Sequence, residues 1–382
     1  MIERSGFLSQ LADAVRRSPV TALLGPRQCG KTTLARAFGA QRQATFFDLE
    51  STVDRQRLQN PELALGGLRG LVVLDEIQAM PELFAVLRVL VDRPAADTRY
   101  LVLGSAAPAL VKGASESLAG RVEFVELGGF DLGEIGADAM DALWLRGGFP
   151  PSFLAASDVD SAAWREGFMQ TFLQRDIPQL GISLPAPAMR RFWTMLAHQH
   201  GQVWNASDLA RSMGLSDKTV RSWLDVLTGT FMARQLQPWF ANVNKRQVKS
   251  PKVYLRDTGL LHSLLQLPDR PALLGHPRAG ASWEGFALEQ VWRAVRPAEG
   301  YFWATHNGAE LDLLFEHRGR RYGVEFKFSE APAATRSMHI ALADLELEHL
   351  WIVHPGAHRF PITERLSAWP LREVGKLAGE LG

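Results

Sequence analysis

A short glycine-containing segment near the start of the chain has the residue types and spacing of a phosphate-binding loop. It follows the pattern G-x-x-x-x-G-K-[ST] and lies between an apolar strand pattern and a helical pattern, the context that this motif requires. The glycines let backbone N–H groups surround phosphates at a helix N-terminus, while the lysine reaches the β and γ phosphates and the hydroxyl ligates Mg²⁺. We therefore predict an ATP site formed by Gly25, Pro26, Arg27, Gln28, Cys29, Gly30, Lys31, Thr32 and Thr33.

A second segment supplies the carboxylates that such a site needs. The apolar run Leu71 to Leu74 ends in Asp75 and Glu76, and two acids at the edge of a core are costly without a cation. We predict that Asp75 holds the Mg²⁺ and that Glu76 polarises the attacking water. A strand that simply ends in two acids would look the same, but the phosphate loop upstream favours the catalytic interpretation.

Two further residues could contact the γ-phosphate. Ser105 ends the apolar run YLVLGS, where a small polar residue could sense this phosphate, although serine also simply terminates strands. Arg121 follows a glycine in SLAGRV and could reach the γ-phosphate of a neighbouring subunit as an arginine finger. A solvated arginine before a strand is the alternative for Arg121.

The composition indicates a folded protein of more than one domain. At 382 residues, with 46% hydrophobic and 22% charged residues, the chain exceeds the size at which one core usually stops growing. A net charge of +1 means that any DNA-binding surface must be local. The single cysteine excludes an internal disulfide, and the absence of a signal peptide or a long apolar stretch predicts a cytoplasmic protein without membrane contact.

The elements that position these residues predict three domains. In residues 1–140, apolar runs alternate with helical patterns, which indicates a three-layer α/β domain with a parallel sheet. Residues 141–267 have helical patterns followed by basic, strand-like segments. Residues 268–382 mix a helix with strands and predict a second α/β domain.

The middle region contains a helix-turn-helix pattern. In NASDLARSMGLSDKTVRSWLDVL, two short helices meet at Gly214, and the second helix carries polar and basic residues in its first half, as a DNA-recognition helix does. A basic stretch with interleaved aromatic residues follows and could track a phosphate backbone. The predicted DNA contacts are Lys218, Arg221, Lys245, Arg246, Lys249 and Lys252. A packing role for the helices and a solvated charged loop are the alternatives.

Carboxylates and one lysine recur in the last domain at a nuclease-like spacing. Glu325 and Lys327 alternate on one strand and so point to one face, Asp312 lies on the preceding strand, and Glu284 lies on a helix before them. Carboxylates in this order can hold Mg²⁺ while the lysine orients or deprotonates water. We predict a metal site at Glu284, Asp312 and Glu325, although Glu325 and Lys327 could instead neutralise each other.

Taken together, these segments resemble a family of prokaryotic AAA-type ATPases with a C-terminal domain of unknown function. The resemblance rests on GPRQCGKTTLA, FFDLE, LVVLDEIQ, LVLGSAA, LAGR, RGGFP, QRDI, NKRQVKSPKVYLRDTGLL and ELDLLFE…GVEFKFS, and it spans nearly the whole chain. It implies an AAA module assembled into a hexameric ring, followed by a winged helix and a PD-(D/E)xK restriction-endonuclease-like fold. One departure is Ala106, where relatives often carry a second serine.

Two functional hypotheses follow. The leading one is an ATP-hydrolysing motor or remodeller that acts on DNA, including branched DNA in repair or recombination, with a nuclease-like or helicase activity. The other is an ATP-dependent regulatory switch that binds protein partners through its C-terminal domains, without DNA activity. DNA-stimulated ATP hydrolysis and salt-sensitive DNA binding would distinguish them.

Overall fold

The computed structural model describes residues 2–94, 97–104, 116–179, 182–240, 250–305 and 308–382. The contacts divide the chain into two compact units, Met1–Gly129 with Gly229–Phe231, and Phe130–Thr228 with Met232–Gly382. Within the described ranges, every helix is too short or too polar to cross a bilayer.

The first unit is built on a five-stranded parallel sheet. Its order is β2-β3-β4-β1-β5, so the strand before the phosphate loop lies inside the sheet. The strands are β1 (Val20–Leu24), β2 (Thr45–Asp48), β3 (Leu71–Asp75), β4 (Arg99–Gly104) and β5 (Val122–Glu126). The helices are α1 (Ser5–Arg17), α2 (Lys31–Ala40), α3 (Thr52–Arg57), α4 (Pro61–Gly66) and α5 (Leu83–Val91).

Apolar side chains cover both faces of this sheet. Along β1 and β3 every residue is buried, because parallel strands between two helix layers turn both sets of side chains into a core. One cluster contains Val72 and Leu87, and the other contains Leu34 and Val73. The predicted α/β domain with a parallel sheet is confirmed.

The second unit begins with helices and then alternates helices with strands. Its helices are α6 (Leu132–Ile135), α7 (Met140–Arg146), α8 (Pro150–Phe153), α9 (Asp158–Thr171), α10 (Ile177–Gln179), α11 (Ala186–His198), α12 (Ala206–Met213), α13 (Asp217–Gly229), α14 (Thr258–Leu264), α15 (Arg270–Leu274), α16 (Ala279–Val295), α17 (Arg336–Asp344) and α18 (Val374–Leu377). Its strands are β6 (Gln202–Val203), β7 (Ala233–Pro238), β8 (Lys252–Leu255), β9 (Gly300–Ala304), β10 (Glu310–His317), β11 (Arg320–Phe326), β12 (His349–His354), β13 (Phe360–Thr363) and β14 (Leu366–Pro370).

All nine of these strands join one sheet, in the order β13-β14-β12-β11-β10-β9-β7-β8-β6. Strands β9, β10 and β11 form an antiparallel meander, and β11, β12 and β14 are parallel. The parallel pair β7–β9 connects the strands of the middle region to those of the C-terminal region. The predicted boundary at residues 267 and 268 therefore falls within one compact unit.

The helix pair predicted around Gly214 is present. Gly214 ends α12 in the left-handed conformation, with φ 67°, and α13 begins three residues later. Leu209, Val220 and Leu224 are buried, as the apolar spacing indicates. Strands β6, β8 and β7 pair antiparallel beside these helices.

Candidate functional site

The phosphate loop connects β1 to α2 through backbone conformations that need glycine. A Cβ on Gly25 would lie 2.0 Å from the Leu127 carbonyl oxygen, so the loop can pass β5 only without a side chain there. Gly30 has φ 98°, which glycine adopts without steric cost. Gln28 also has a positive φ, of 61°. This backbone leads into the N-terminus of α2, where free N–H groups and the helix dipole favour anions.

Lys31 is buried at the centre of this loop. Its Nζ donates hydrogen bonds to the carbonyl oxygens of Gly25 at 2.9 Å and Pro26 at 2.8 Å. The ammonium is thus held by the same loop whose backbone would surround the phosphates. Thr33 is exposed in the first turn of α2, and Arg27 pairs with Glu50 across 3.3 Å.

Thr32 and Asp75 meet beside the loop. The Thr32 hydroxyl donates a hydrogen bond of 2.7 Å to Asp75 Oδ2, because the carboxyl ends of β1 and β3 reach the same edge of the parallel sheet. Burial is the main cause that raises the pKa of Asp75, and the charge of Glu76 raises it further. A hydroxyl and a carboxylate are the hard oxygen ligands that Mg²⁺ prefers, so these residues fit the predicted metal.

Glu76 follows Asp75 in a strained conformation. Its φ is 55°, which is uncommon for a residue with a side chain, and its carboxylate accepts a hydrogen bond from Gln78. Strained backbone of this kind often occurs at functional sites. The carboxylate predicted to polarise water therefore lies at the same sheet edge as the phosphate loop.

Arg4 supports the loop, and the sequence analysis missed it. Its buried guanidinium donates hydrogen bonds to the carbonyl oxygens of Cys29 at 3.0 Å, Gly128 at 3.2 Å and Gly129 at 3.1 Å. Cys29 is itself buried, and its Sγ lies 3.4 Å from the Leu127 carbonyl oxygen. Arg4 thus ties the phosphate loop to the segment after β5, and no recognisable motif marks it.

Of the two predicted γ-phosphate contacts, Arg121 lies away from this edge. Ser105 falls outside the described residues. Arg121 precedes β5, at the opposite edge of the sheet from the loop, about 16 Å away along a five-residue strand. Its guanidinium pairs with Asp92.

The predicted nuclease-like residues come together in the second unit. Asp312 on β10 and Glu325 on β11 are buried on neighbouring strands, and Asp312 Oδ2 accepts a hydrogen bond of 3.1 Å from the Phe326 backbone N–H. Glu284 on α16 accepts a hydrogen bond of 2.5 Å from the Tyr254 hydroxyl. Burial and then the nearby charge of Asp312 raise the pKa of Glu284 to about 7 and that of Glu325 to about 8.

Lys252 occupies the middle of this acidic cluster, which corrects its predicted role. We predicted an exposed phosphate contact, but Lys252 is 5% exposed, and its Nζ lies 3.0 Å from Asp312 Oδ1 and 3.6 Å from Glu284 Oε1. The cause is the pairing of β8 with β7, which joins β9 and brings Lys252 close to the acids of the C-terminal region. Lys252 therefore cannot contact DNA from this position.

The predicted metal set also differs from the observed arrangement. Among the described residues, no three histidine, cysteine, aspartate or glutamate side chains are arranged to hold a metal ion. Lys252 pairs with both Glu284 and Asp312, and Lys327 Nζ lies 2.7 Å from Glu325 Oε1. The ammonium groups of Lys252 and Lys327 thus supply, at this acidic cluster, the positive charge that we had assigned to Mg²⁺.

The helix pair presents a charge-balanced surface. Lys218 and Arg221 are exposed on α13, as predicted, and the Arg221 guanidinium lies 5.5 Å from the centre of the Trp204 ring. The other charged residues of α12 and α13 are exposed as well: Asp208, Arg211, Asp217 and Asp225. Three acids thus match three bases. Lys245, Arg246 and Lys249 lie outside the described residues.

Comparison with known proteins finds three family matches along the chain and two relatives that cover nearly all of it. Residues 17–136 match the AAA domain family, residues 137–270 match a domain of unknown function (DUF8612), and residues 279–374 match another (DUF4143). The uncharacterized proteins Mb2031c of Mycobacterium bovis and Rv2008c of Mycobacterium tuberculosis are each 54% identical over 374 residues, covering 98% of this chain and 85% of the relative.

A solved structure supports the fold. A Walker-type ATPase of Pyrococcus abyssi superposes with a TM-score of 0.53 at 15% identity, covering 69% of this chain and 96% of that one. At this identity the likeness concerns the fold alone. Together with the AAA-family match, it identifies the first unit as a P-loop ATPase domain.

Proposed function

The chain belongs to the same family as the two mycobacterial proteins, which share its AAA domain, and from this premise we propose that it hydrolyses ATP to act on DNA. The observation that best supports ATP hydrolysis is the Thr32–Asp75 hydrogen bond beside Lys31. A hydroxyl, a carboxylate and an ammonium at one sheet edge can hold Mg²⁺ and phosphates.

In the proposed reaction, each residue at the sheet edge beside the phosphate loop has one role. Lys31 would leave its carbonyl partners to bind the β and γ phosphates, and Thr32 and Asp75 would hold a Mg²⁺ that supplies positive charge to the phosphates. Glu76 orients the attacking water and accepts its proton. A neighbouring subunit completes the site with Arg121, so the active form is a homo-oligomeric ring, for which we propose six subunits.

We further propose that residues 186–255 form a winged helix. The order α11-β6-α12-α13-β7-β8, with β6 and β7 both antiparallel to β8, is that of this module. In it, α13 would enter the DNA major groove with Lys218 and Arg221, and the segment between β7 and β8 would follow the backbone.

The C-terminal region then corresponds to a PD-(D/E)xK nuclease-like fold. Its elements follow one another as a helix (α16), a three-stranded meander (β9 to β11), a second helix (α17) and a parallel strand (β12). Glu284, Asp312, Glu325 and Lys327 lie on the elements that carry the acids and the lysine in such folds. We propose that this region binds DNA.

One experiment tests the DNA-directed function. ATP turnover should rise several-fold on addition of single-stranded, duplex or four-way-junction DNA, and the rise should weaken with salt. Lys218→Ala with Arg221→Ala should reduce the stimulation, whereas Lys376→Ala, an exposed lysine on α18, should not. Turnover unchanged by every DNA would refute the proposal.

A second candidate function is a nucleotide-dependent switch that binds protein partners. The balanced charge of α12 and α13 favours it, because a DNA-binding face is normally strongly basic. This function predicts ATP hydrolysis that no DNA stimulates and DNA binding that is absent at physiological salt.

A further inference from the structure

The side chain of Lys252 fills the centre of the acidic cluster of the C-terminal region. Its Nζ lies 3.0 Å from Asp312 Oδ1 and 3.6 Å from Glu284 Oε1, and the side chain is 7% exposed. The ring of Phe302 lies on another side, 5.8 Å from Nζ. A buried ammonium is stable only when carboxylates compensate its charge, and here two do.

Each of these two acids also accepts a hydrogen bond from a group other than Lys252. Asp312 Oδ2 accepts from the Phe326 N–H, and Glu284 Oε1 accepts from the Tyr254 hydroxyl. Tyr254 and Lys252 alternate on β8, so one strand supplies both contacts to the cluster. Strand β8 thus supplies an ammonium and a hydroxyl to these two acids.

Glu325 differs from the other two acids. Its Oε1 accepts from Lys327 at 2.7 Å, but its Oε2 is buried and has no hydrogen-bond partner among the described residues. The residue is 3% exposed. Buried polar atoms without a hydrogen-bond partner are uncommon in folded proteins.

We propose that Lys252 is a tethered cation that excludes divalent metal from this cluster, so that the C-terminal region is metal-free until the ammonium is withdrawn. The inference builds on the proposed nuclease-like fold. Divalent metals bind carboxylate oxygens at about 2.0–2.6 Å. A metal between Asp312 and Glu284 would therefore overlap the Lys252 ammonium, and two like charges would meet in a buried site.

The proposal explains why the acids lie together without forming a metal site. Lys252 and Lys327 offset the charge of Glu284, Asp312 and Glu325, and the cluster stays compact without a bound ion. With the ammonium removed, Asp312 and Glu284 lose their shared countercharge, and a hard cation that binds carboxylate oxygens would be the natural replacement.

Mn²⁺ titration of the full chain tests this inference, with Asp75→Asn as the background that removes the metal ligand of the ATP site. Calorimetry and Mn²⁺ electron paramagnetic resonance should detect no tight site in this background. Adding Lys252→Gln or Lys252→Met should create one equivalent of Mn²⁺ binding, at least tenfold tighter than any Mn²⁺ binding by the background protein. A further Asp312→Asn substitution should abolish this binding.

Lys252→Arg is the matched control, because it keeps the charge and should keep Mn²⁺ out. The inference is overturned if the background protein already binds Mn²⁺ in a manner lost on Asp312→Asn, or if the folded Lys252 variants still bind none. Circular dichroism establishes folding. DNA-stimulated ATP turnover is measured separately, so that failure of the proposed function is distinguishable from failure of this inference.

Discussion

The guanidinium of Arg121 forms two hydrogen bonds with the carboxylate of Asp92, Nε to Oδ1 at 2.7 Å and Nη2 to Oδ2 at 2.9 Å. An arginine finger must be able to reach a neighbouring site, so this pairing would have to open. The ion pair is solvent-exposed, and exposed pairs exchange partners readily.

If Arg121 acts in a neighbour's site, Arg121→Ala should lose ATP turnover at least tenfold while ATP binding persists, and turnover per subunit should rise with protein concentration. Asp92→Ala should keep or increase turnover, because it frees the arginine. Equal, small effects of both substitutions, together with a concentration-independent rate from a monomer, would assign the pair a purely structural role.

Substitutions at the loop edge should separate ATP binding from hydrolysis. Lys31→Ala should abolish turnover and weaken ATP binding, because the phosphates lose their countercharge. Glu76→Gln should bind ATP normally and hydrolyse it about 10²-fold or more slowly, since the general base is lost. Steady-state turnover and fluorescent-nucleotide binding measure both, and wild-type rates in either variant would contradict the site assignment.

Arg4 should be required for a well-ordered phosphate loop. Arg4→Ala leaves the carbonyls of Cys29, Gly128 and Gly129 without their donor, and we expect a loss of about 2 kcal/mol in unfolding free energy together with weaker ATP binding. Arg16→Ala removes an exposed arginine from α1 and serves as the control. Equal stability and equal ATP affinity of the two variants would show that the Arg4 contacts are dispensable.

Two buried histidines should each contribute a loss of stability of the second unit in mild acid. Burial lowers the pKa of His262 to about 4 and that of His200 to about 3, and His262 is held by the Leu145 carbonyl and the Ser282 hydroxyl. Below about pH 6.5, the unfolded chain binds protons at these histidines that the folded chain does not. The free energy of unfolding therefore decreases as the pH is lowered, until the pH reaches the pKa values of the folded state.

When the pH is lowered from 7.5 to 5, protonation of each histidine in the unfolded chain should therefore reduce the free energy of unfolding by about 2 kcal/mol. Denaturant unfolding at several pH values measures this slope. His262→Gln should remove the His262 share of this slope whatever its effect on stability at pH 7.5, because that imidazole no longer titrates. An unchanged slope in this variant would contradict the assignment.

The sequence was informative wherever a site depends on residues close in the chain. The phosphate loop, Asp75 with Glu76, and the helix pair at Gly214 are each contained in one short segment, and each is found where it was predicted. Glu325 lies on β11, as strand alternation predicted, whereas Lys327 follows the last residue of that strand.

Contacts between distant segments could not be predicted in this way. Arg4 bonds to residues 25, 124 and 125 positions away, and nothing in its local sequence indicates those partners. Lys252 lies in a basic stretch, which favoured an exposed DNA contact. Its burial depends on the order of strands in the nine-stranded sheet, which no periodicity encodes.

The pairing of β7 with β9 has a consequence for work with shortened proteins. Gln237 and Pro238 on β7 pair with Tyr301 and Phe302 on β9, although a boundary between two sequence families lies between these strands. A recombinant fragment cut at that boundary would leave each half with an open strand edge, a template for intermolecular aggregation. The segment matched by one sequence family and the compact unit are thus different lengths of chain. We expect a fragment to be soluble only if it keeps the compact unit whole.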